Sequence, residues 1–199
     1  MSEALRWPMT LALAVVAPYF ASRLLRPAAG GGPARPARHR GCDAAHLLMA
    51  VAMTAMVWTV AVPGAMWVAV FAPAALWFVV LAARSPGRLP HGSRAVTWYF
   101  AVSMAAMAWM AWPNGHPGGG GHHGGPAGPP WWPSVVSLAL GGYLLLTAGW
   151  WAGRGLRLTP RWPDQAGAVA SPAGPTVRVE GLCHATMGAV MGLMLLAMM

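Results

Sequence analysis

The chain has 199 residues, 57% of them hydrophobic and 9% charged, against roughly 25% charged in an ordinary soluble domain. The apolar residues fall in long blocks, which fits a bilayer and excludes a soluble enzyme core. The net charge of +9 does not mark a nucleic-acid binder, because the arginines lie in loops between those blocks and not on one amphipathic face or beside a recognition motif.

Six apolar blocks follow one another, at residues 9–25, 44–62, 65–83, 95–112, 134–152 and 181–199. Each is near the roughly 20 residues that a helix needs to cross the hydrocarbon core. Backbone groups in lipid must bond within their own segment, so each block is predicted to be a helix. The first has a thin positive start in Arg6, as a signal peptide would. Arg23 and Arg26 follow its apolar run, however, an order that suits a retained helix whose C-terminal end faces the cytoplasm.

The linkers carry the orientation. The first holds Arg23, Arg26, Arg35, Arg38 and Arg40, the third Arg84, Arg88 and Arg94, and the fifth Arg154, Arg157, Arg161 and Arg178. The second and fourth hold none. The positive-inside rule then places three basic loops in the cytoplasm and both termini outside. The expected fold is a single all-α domain, a polytopic bundle of six transmembrane helices in a bacterial plasma membrane. Trp7, Trp98, Tyr99, Trp112, Trp131 and Trp132 fall near the expected interfaces, where aromatic belts sit. Residues 27–36 and 115–130 are rich in Gly and Pro and cannot form a packed core. The second of these tracts carries His116, His122 and His123, which either collect a divalent metal or are incidental to a linker.

The chain has no Lys and no Ile and a single Asn, as a gene rich in G and C would give, yet it holds 14 Met, against that bias. The placement of these methionines is the sharpest signal. The second block carries His46, Met49, Met53 and Met56, and the sixth carries His184, Met187, Met191 and Met194, both spaced His-x2-Met-x3-Met-x2-Met. At about 100° per residue the four side chains lie within an arc of about 80° and climb ~15 Å. Met198 continues the sixth stripe, and the fourth block adds Met104, Met107 and Met110. The three helices run the same way. Met53, Met104 and Met191 should therefore share one depth and Met56, Met107 and Met194 the next, with the two histidines at the cytoplasmic end.

Thioethers are soft ligands that suit Cu(I), and imidazole suits copper as well. A neutral methionine lane would bind or pass Cu(I) without placing carboxylates in lipid, where charge is expensive. The Met-x3-Met spacing is similar to that of the copper-transporter family, but the number of spans differs and no role is carried over. Two other readings stand beside copper. Methionine is an adaptable core filler, so the stripes serve a structural or accessory membrane protein as packing alone. Two histidines at one depth can also ligate a haem, in a slot that Ala45, Ala185 and Gly188 would permit.

Cys42 and Cys183 are expected at the cytoplasmic face as reduced thiols. Asp43 and Glu180 are expected at helix starts, capping backbone N–H groups, with Asp164 and Glu3 solvated. No carboxylate is expected mid-span, which speaks against a proton or sodium relay. The P-loop, the Gly-x-Ser-x-Gly elbow and the His-Glu-x-x-His helix are absent. No catalytic residue is identified and no protein partner is indicated.

Six apolar spans, with His and Met stripes in the second and last and a Met-rich fourth, resemble an actinobacterial membrane family catalogued as a domain of unknown function. The resemblance implies a multi-pass membrane protein and supplies no activity.

Overall fold

The computed structural model describes residues 3–25, 37–84, 94–112, 131–156 and 175–199. These form six helices: α1 Glu3–Leu25, α2 Ala37–Val57, α3 Gly64–Arg84, α4 Arg94–Ala111, α5 Trp132–Gly155 and α6 Pro175–Ala197. The outer loop with His116, His122 and His123 lies outside the described residues, as do the tract at 27–36 and Asp164.

Three helices start earlier than the apolar blocks suggest. α1 begins at Glu3, α2 at Ala37 and α6 at Pro175, against expected starts at 9, 44 and 181. Apolar content ends where Arg40, Asp43 and Glu180 appear, but helical hydrogen bonding continues through them, so hydropathy underestimates these helices at their polar ends.

Consecutive helices pack as three hairpins, α1 with α2, α3 with α4 and α5 with α6. α6 also touches α1 and α4, and α4 touches α5. Burial follows from this arrangement. The α6 span is 61% buried, whereas those of α1 and α3 are 22% buried and that of α5 is 28%. Gly192 shows how tightly α6 fits: a Cβ there would come within 2.7 Å of Leu145 Cγ and 3.0 Å of the Gly141 carbonyl oxygen on α5.

The hairpins alternate, so the C-terminal ends of α1, α3 and α5 share one end of the bundle with the N-terminal ends of α2, α4 and α6. Side-chain contacts there confirm it, including Arg23 with Asp43 and Glu180, Phe78 with Phe100 and Trp151 with His184. This end also carries Arg40, Arg84, Arg94, Arg154 and Arg178. At the other end Trp7 packs edge-on against Trp58 and Trp109 against Trp132. Their neighbours Trp58 and Trp109 donate indole N–H bonds to Thr10 and Ser137. Aromatic groups with a polar edge favour membrane interfaces.

α1, α3, α5 and α6 (from Arg178) are each long and apolar enough to cross a membrane. In α2 and α4 the apolar content is diluted by Asp43, His46, Thr97 and Ser103, all of them buried by the bundle. The outward faces of α1, α3 and α5 are apolar: Leu11, Val15, Met66, Leu76, Leu138 and Leu146 are all exposed. A continuous apolar belt of this kind is foreign to a water-soluble monomer and suits a lipid bilayer.

The turn between α2 and α3 is a Schellman closure. Val60 N–H bonds to the Ala55 carbonyl at 2.9 Å and Thr59 N–H to that of Met56 at 3.1 Å. Thr59 takes the left-handed position with φ 49°, a conformation that disfavours a β-branched side chain.

Candidate functional site: a histidine pair above a methionine core

The interior has two storeys. The lower one is built from thioethers. Met49 and Met53 of α2, Met104, Met107 and Met110 of α4, and Met187, Met191 and Met194 of α6 are all buried and belong to one core cluster. Met53, Met104, Met107 and Met191 have no exposed surface at all. The inward placement follows from the helical period, since offsets of three, four and seven residues return to one face. Met56 and Met198 are half-buried and pack against the same cluster. α1 adds Met9, a single methionine with no repeat around it and hence no signal in the sequence.

The upper storey is an aromatic box around two histidines. The rings of His46 and His184 lie 4.8 Å apart, centroid to centroid, tilted by 58°. Both residues are buried, at 0% and 1% exposure. Phe20 of α1 stacks on His46 at 4.8 Å and 15°. Phe100 of α4 meets the same ring edge-on at 4.6 Å, and Trp151 of α5 lies 4.8 Å from His184. Helices α1, α2, α4, α5 and α6 therefore all reach this point.

His46 Nδ1 lies 2.6 Å from the Cys42 carbonyl oxygen, one turn earlier on α2. A carbonyl only accepts, so Nδ1 carries the hydrogen. In the neutral ring the lone pair is then on Nε2. This is how metal-ligating histidines are commonly oriented, the second nitrogen being fixed by a backbone carbonyl.

A charged lid closes the Arg-rich end. Arg23 of α1 reaches two helices at once, with Nε 3.2 Å from Asp43 Oδ1 on α2 and Nη1 2.8 Å from Glu180 Oε2 on α6. Its Nη1 also donates to the Tyr19 hydroxyl at 3.1 Å. The other oxygen of Glu180 stands 3.8 Å from His184 Nε2. A continuous polar path thus runs from Asp43 through Arg23 and Glu180 to His184. The Asp43 side chain is 2% exposed, and buried charges of this kind persist only when paired.

Two expectations are corrected here. Asp43 and Glu180 do not cap helix starts, because α2 and α6 begin well before them; both hold Arg23. Tyr99 is not interfacial. It is buried, and its hydroxyl donates to the His184 backbone carbonyl at 3.4 Å, while its neighbour Trp98 is exposed. α1 also reaches the polar centre, with Phe20 and Arg23. In the sequence Arg23 reads as a topology marker at the end of an apolar run, and nothing local shows that it turns inward. The one usable signal is the spacing of Tyr19, Phe20 and Arg23, which a single helical turn gathers on neighbouring positions.

Cys42 and Cys183 are buried free thiols beside this lid. Among the described residues no group of three or more His, Cys, Asp or Glu is arranged to hold a metal ion.

No curated protein and no solved structure matches the chain. One family model does, over residues 38–198, which takes in α2 to α6 and leaves α1, with Phe20 and Arg23, ahead of the matched region. The chain belongs to the family described as Domain of unknown function (DUF5134).

Proposed function

We propose that this protein is a six-span plasma-membrane protein of a bacterium, with both termini outside, that binds or passes Cu(I) through its interior. The observation that carries the reading is the burial of methionines from three helices in one core, directly beneath two touching imidazoles. Thioether and neutral imidazole together form a soft, uncharged donor set suited to Cu(I). Such a set needs no carboxylate inside the hydrocarbon region. His46, with Nδ1 tied to a carbonyl, would offer Nε2, and His184 would complete the cytoplasmic end of the lane. Met49 and Met187 stand one turn away from them, followed by Met53, Met104 and Met191 and then by Met56, Met107 and Met194. The arginine-rich loops and the alternating hairpins support the orientation.

The rival with a specific observation behind it is packing alone. Methionine is as good a filler as it is a ligand, and every methionine of the three stripes but Met56 and Met198 is buried in the core. Haem is less favoured, because two rings 4.8 Å apart leave no slot for a macrocycle unless the helices separate.

The test is elemental analysis of the full-length protein, purified in detergent and loaded with Cu(I) under reductant, with an absorbance scan alongside. The comparison is a variant carrying His46→Leu, Met49→Leu, His184→Leu and Met187→Leu. Stoichiometric copper in the wild type, lost in the variant, is the expected result. Equal copper in both, or none in either, would leave the methionines as packing. A Soret band lost with the two histidines would move the protein to haem.

A further inference from the structure

The end of the bundle opposite the Arg-rich one carries a groove that neither the copper reading nor the helix packing uses. It opens between α1 and α2, has a volume of about 450 Å³ and is lined by small and apolar groups, among them Leu13, Ala14, Ala17, Ala50, Val51 and Ala55. Four alanines along two helices leave volume that longer side chains would have filled. Thr10, Thr54 and Trp58 also border the groove, and their polar groups are engaged within the protein. The Thr10 hydroxyl donates to the Arg6 carbonyl at 2.8 Å and accepts the Trp58 indole N–H at 2.9 Å, and the Thr54 hydroxyl donates to the Ala50 carbonyl at 2.9 Å. The groove thus meets a ligand with apolar surface. From Thr10 to Ala17 it follows α1 for about 10 Å, roughly a third of the hydrocarbon core.

A cation stands at its head. Arg6 lies four residues before Thr10 on the same face of α1. It is half-buried, and its Nε is shielded from solvent with no hydrogen-bond partner, so the stem lies against the protein and the guanidinium is held near the rim. Among the described residues no carboxylate forms an ion pair with it: Glu3, three residues earlier, is exposed, and Asp43 and Glu180 hold Arg23 at the far end. Beside it Trp7 and Trp58, packed edge-on at 5.2 Å, mark the level of the membrane interface. An apolar groove within the belt, headed by a guanidinium at the interface, is complementary to a molecule with an anionic head and an apolar tail. We propose that it binds one anionic phospholipid, with one acyl chain in the groove and the phosphate against Arg6. The planar fork of arginine suits phosphate oxygens, and the chain supplies the close packing that the two helices leave unmade. The inference rests on the membrane-spanning reading, and neither on copper nor on which end faces the cytoplasm.

The experiment is native mass spectrometry of the full-length protein released from nanodiscs made of phosphatidylglycerol and phosphatidylcholine in equal amounts. The wild type is expected to retain one phosphatidylglycerol, at about tenfold or more the occupancy of phosphatidylcholine, as a hydrogen bond to a charged group would give. Arg6→Gln should abolish that preference, while Arg94→Gln, at the other end of the bundle, should leave it unchanged. Ala14→Phe places a ring in the groove from an exposed position and should remove the retained lipid of either kind. Equal retention of the two lipids by the wild type would overturn the site without any variant, so the test survives a variant that does not fold. Equal loss of preference in Arg6→Gln and Arg94→Gln would reduce the effect to overall charge, and a lipid kept by Ala14→Phe would put it outside the groove; either result overturns the proposal. A chain that does not enter nanodiscs at all would overturn the membrane-spanning reading and the site with it.

Discussion

The two storeys of the interior are held by different physics. Toward the Arg-rich end, charges and ring contacts bind α1, α2 and α6 through Arg23, Asp43, Glu180 and the two histidines. Toward the other end the core is built of thioethers with aliphatic and aromatic side chains. A paired charge network is sensitive to the loss of any single member, because the partner is stranded in a poor solvent. A methionine core is sensitive to volume and tolerant of chemistry. One end should therefore fail by chemistry and the other by shape.

The largest effect is expected from Arg23→Leu. It takes the paired cation from Asp43, nearly fully buried, and should cost about 3–5 kcal/mol, the usual penalty for breaking a buried pair from one side. Thermal unfolding in detergent checks it, and a loss below about 1 kcal/mol would show that the lid is not a structural tie. In the methionine storey, Met53→Ala should cost about 2–5 kcal/mol by leaving a cavity. Met53→Leu, similar in volume, should cost less than about 1.5 kcal/mol. Equal losses in the two Met53 variants would mean that sulfur itself stabilises the fold. Gly192→Val forces carbons into Leu145 and the Gly141 carbonyl and should cost about 1–3 kcal/mol, read in the same melt. The smallest effect concerns the turn: Thr59→Gly removes a β-branched residue from a left-handed position and should stabilise by about 1 kcal/mol, a rise in melting temperature that a destabilised variant would reverse.

The division between the two ends also explains what the sequence could reveal. The methionine storey is legible because helical periodicity is a one-helix property: His46, Met49 and Met53 declare a common face without reference to any other segment. All-α architecture and the linker arginines are legible for the same reason. The charged lid is a property of three helices. Arg23, Asp43 and Glu180 lie on α1, α2 and α6, and each has a satisfactory local reading as a loop cation or a helix cap. Only the packing of α1 against both α2 and α6 makes them one group. The aromatic box is hidden in the same way, since Phe20, Phe100 and Trp151 are ordinary apolar residues until the helices meet around His46. α2 and α4, the helices whose polar residues make them weakest as membrane spans by composition, supply much of the interior, because groups such as Asp43 and Ser103 are surrounded by the bundle and not by lipid.

The most direct test of the copper reading is the X-ray absorption spectrum at the copper edge of the Cu(I)-loaded, full-length protein. The expected first shell is dominated by sulfur at about the 2.3 Å typical of soft metal–sulfur bonds, with a minority of imidazole nitrogen that disappears when His46 and His184 are changed to Leu. A shell of oxygen and nitrogen alone, or copper lost on gel filtration before the spectrum is taken, would contradict a methionine-lined site.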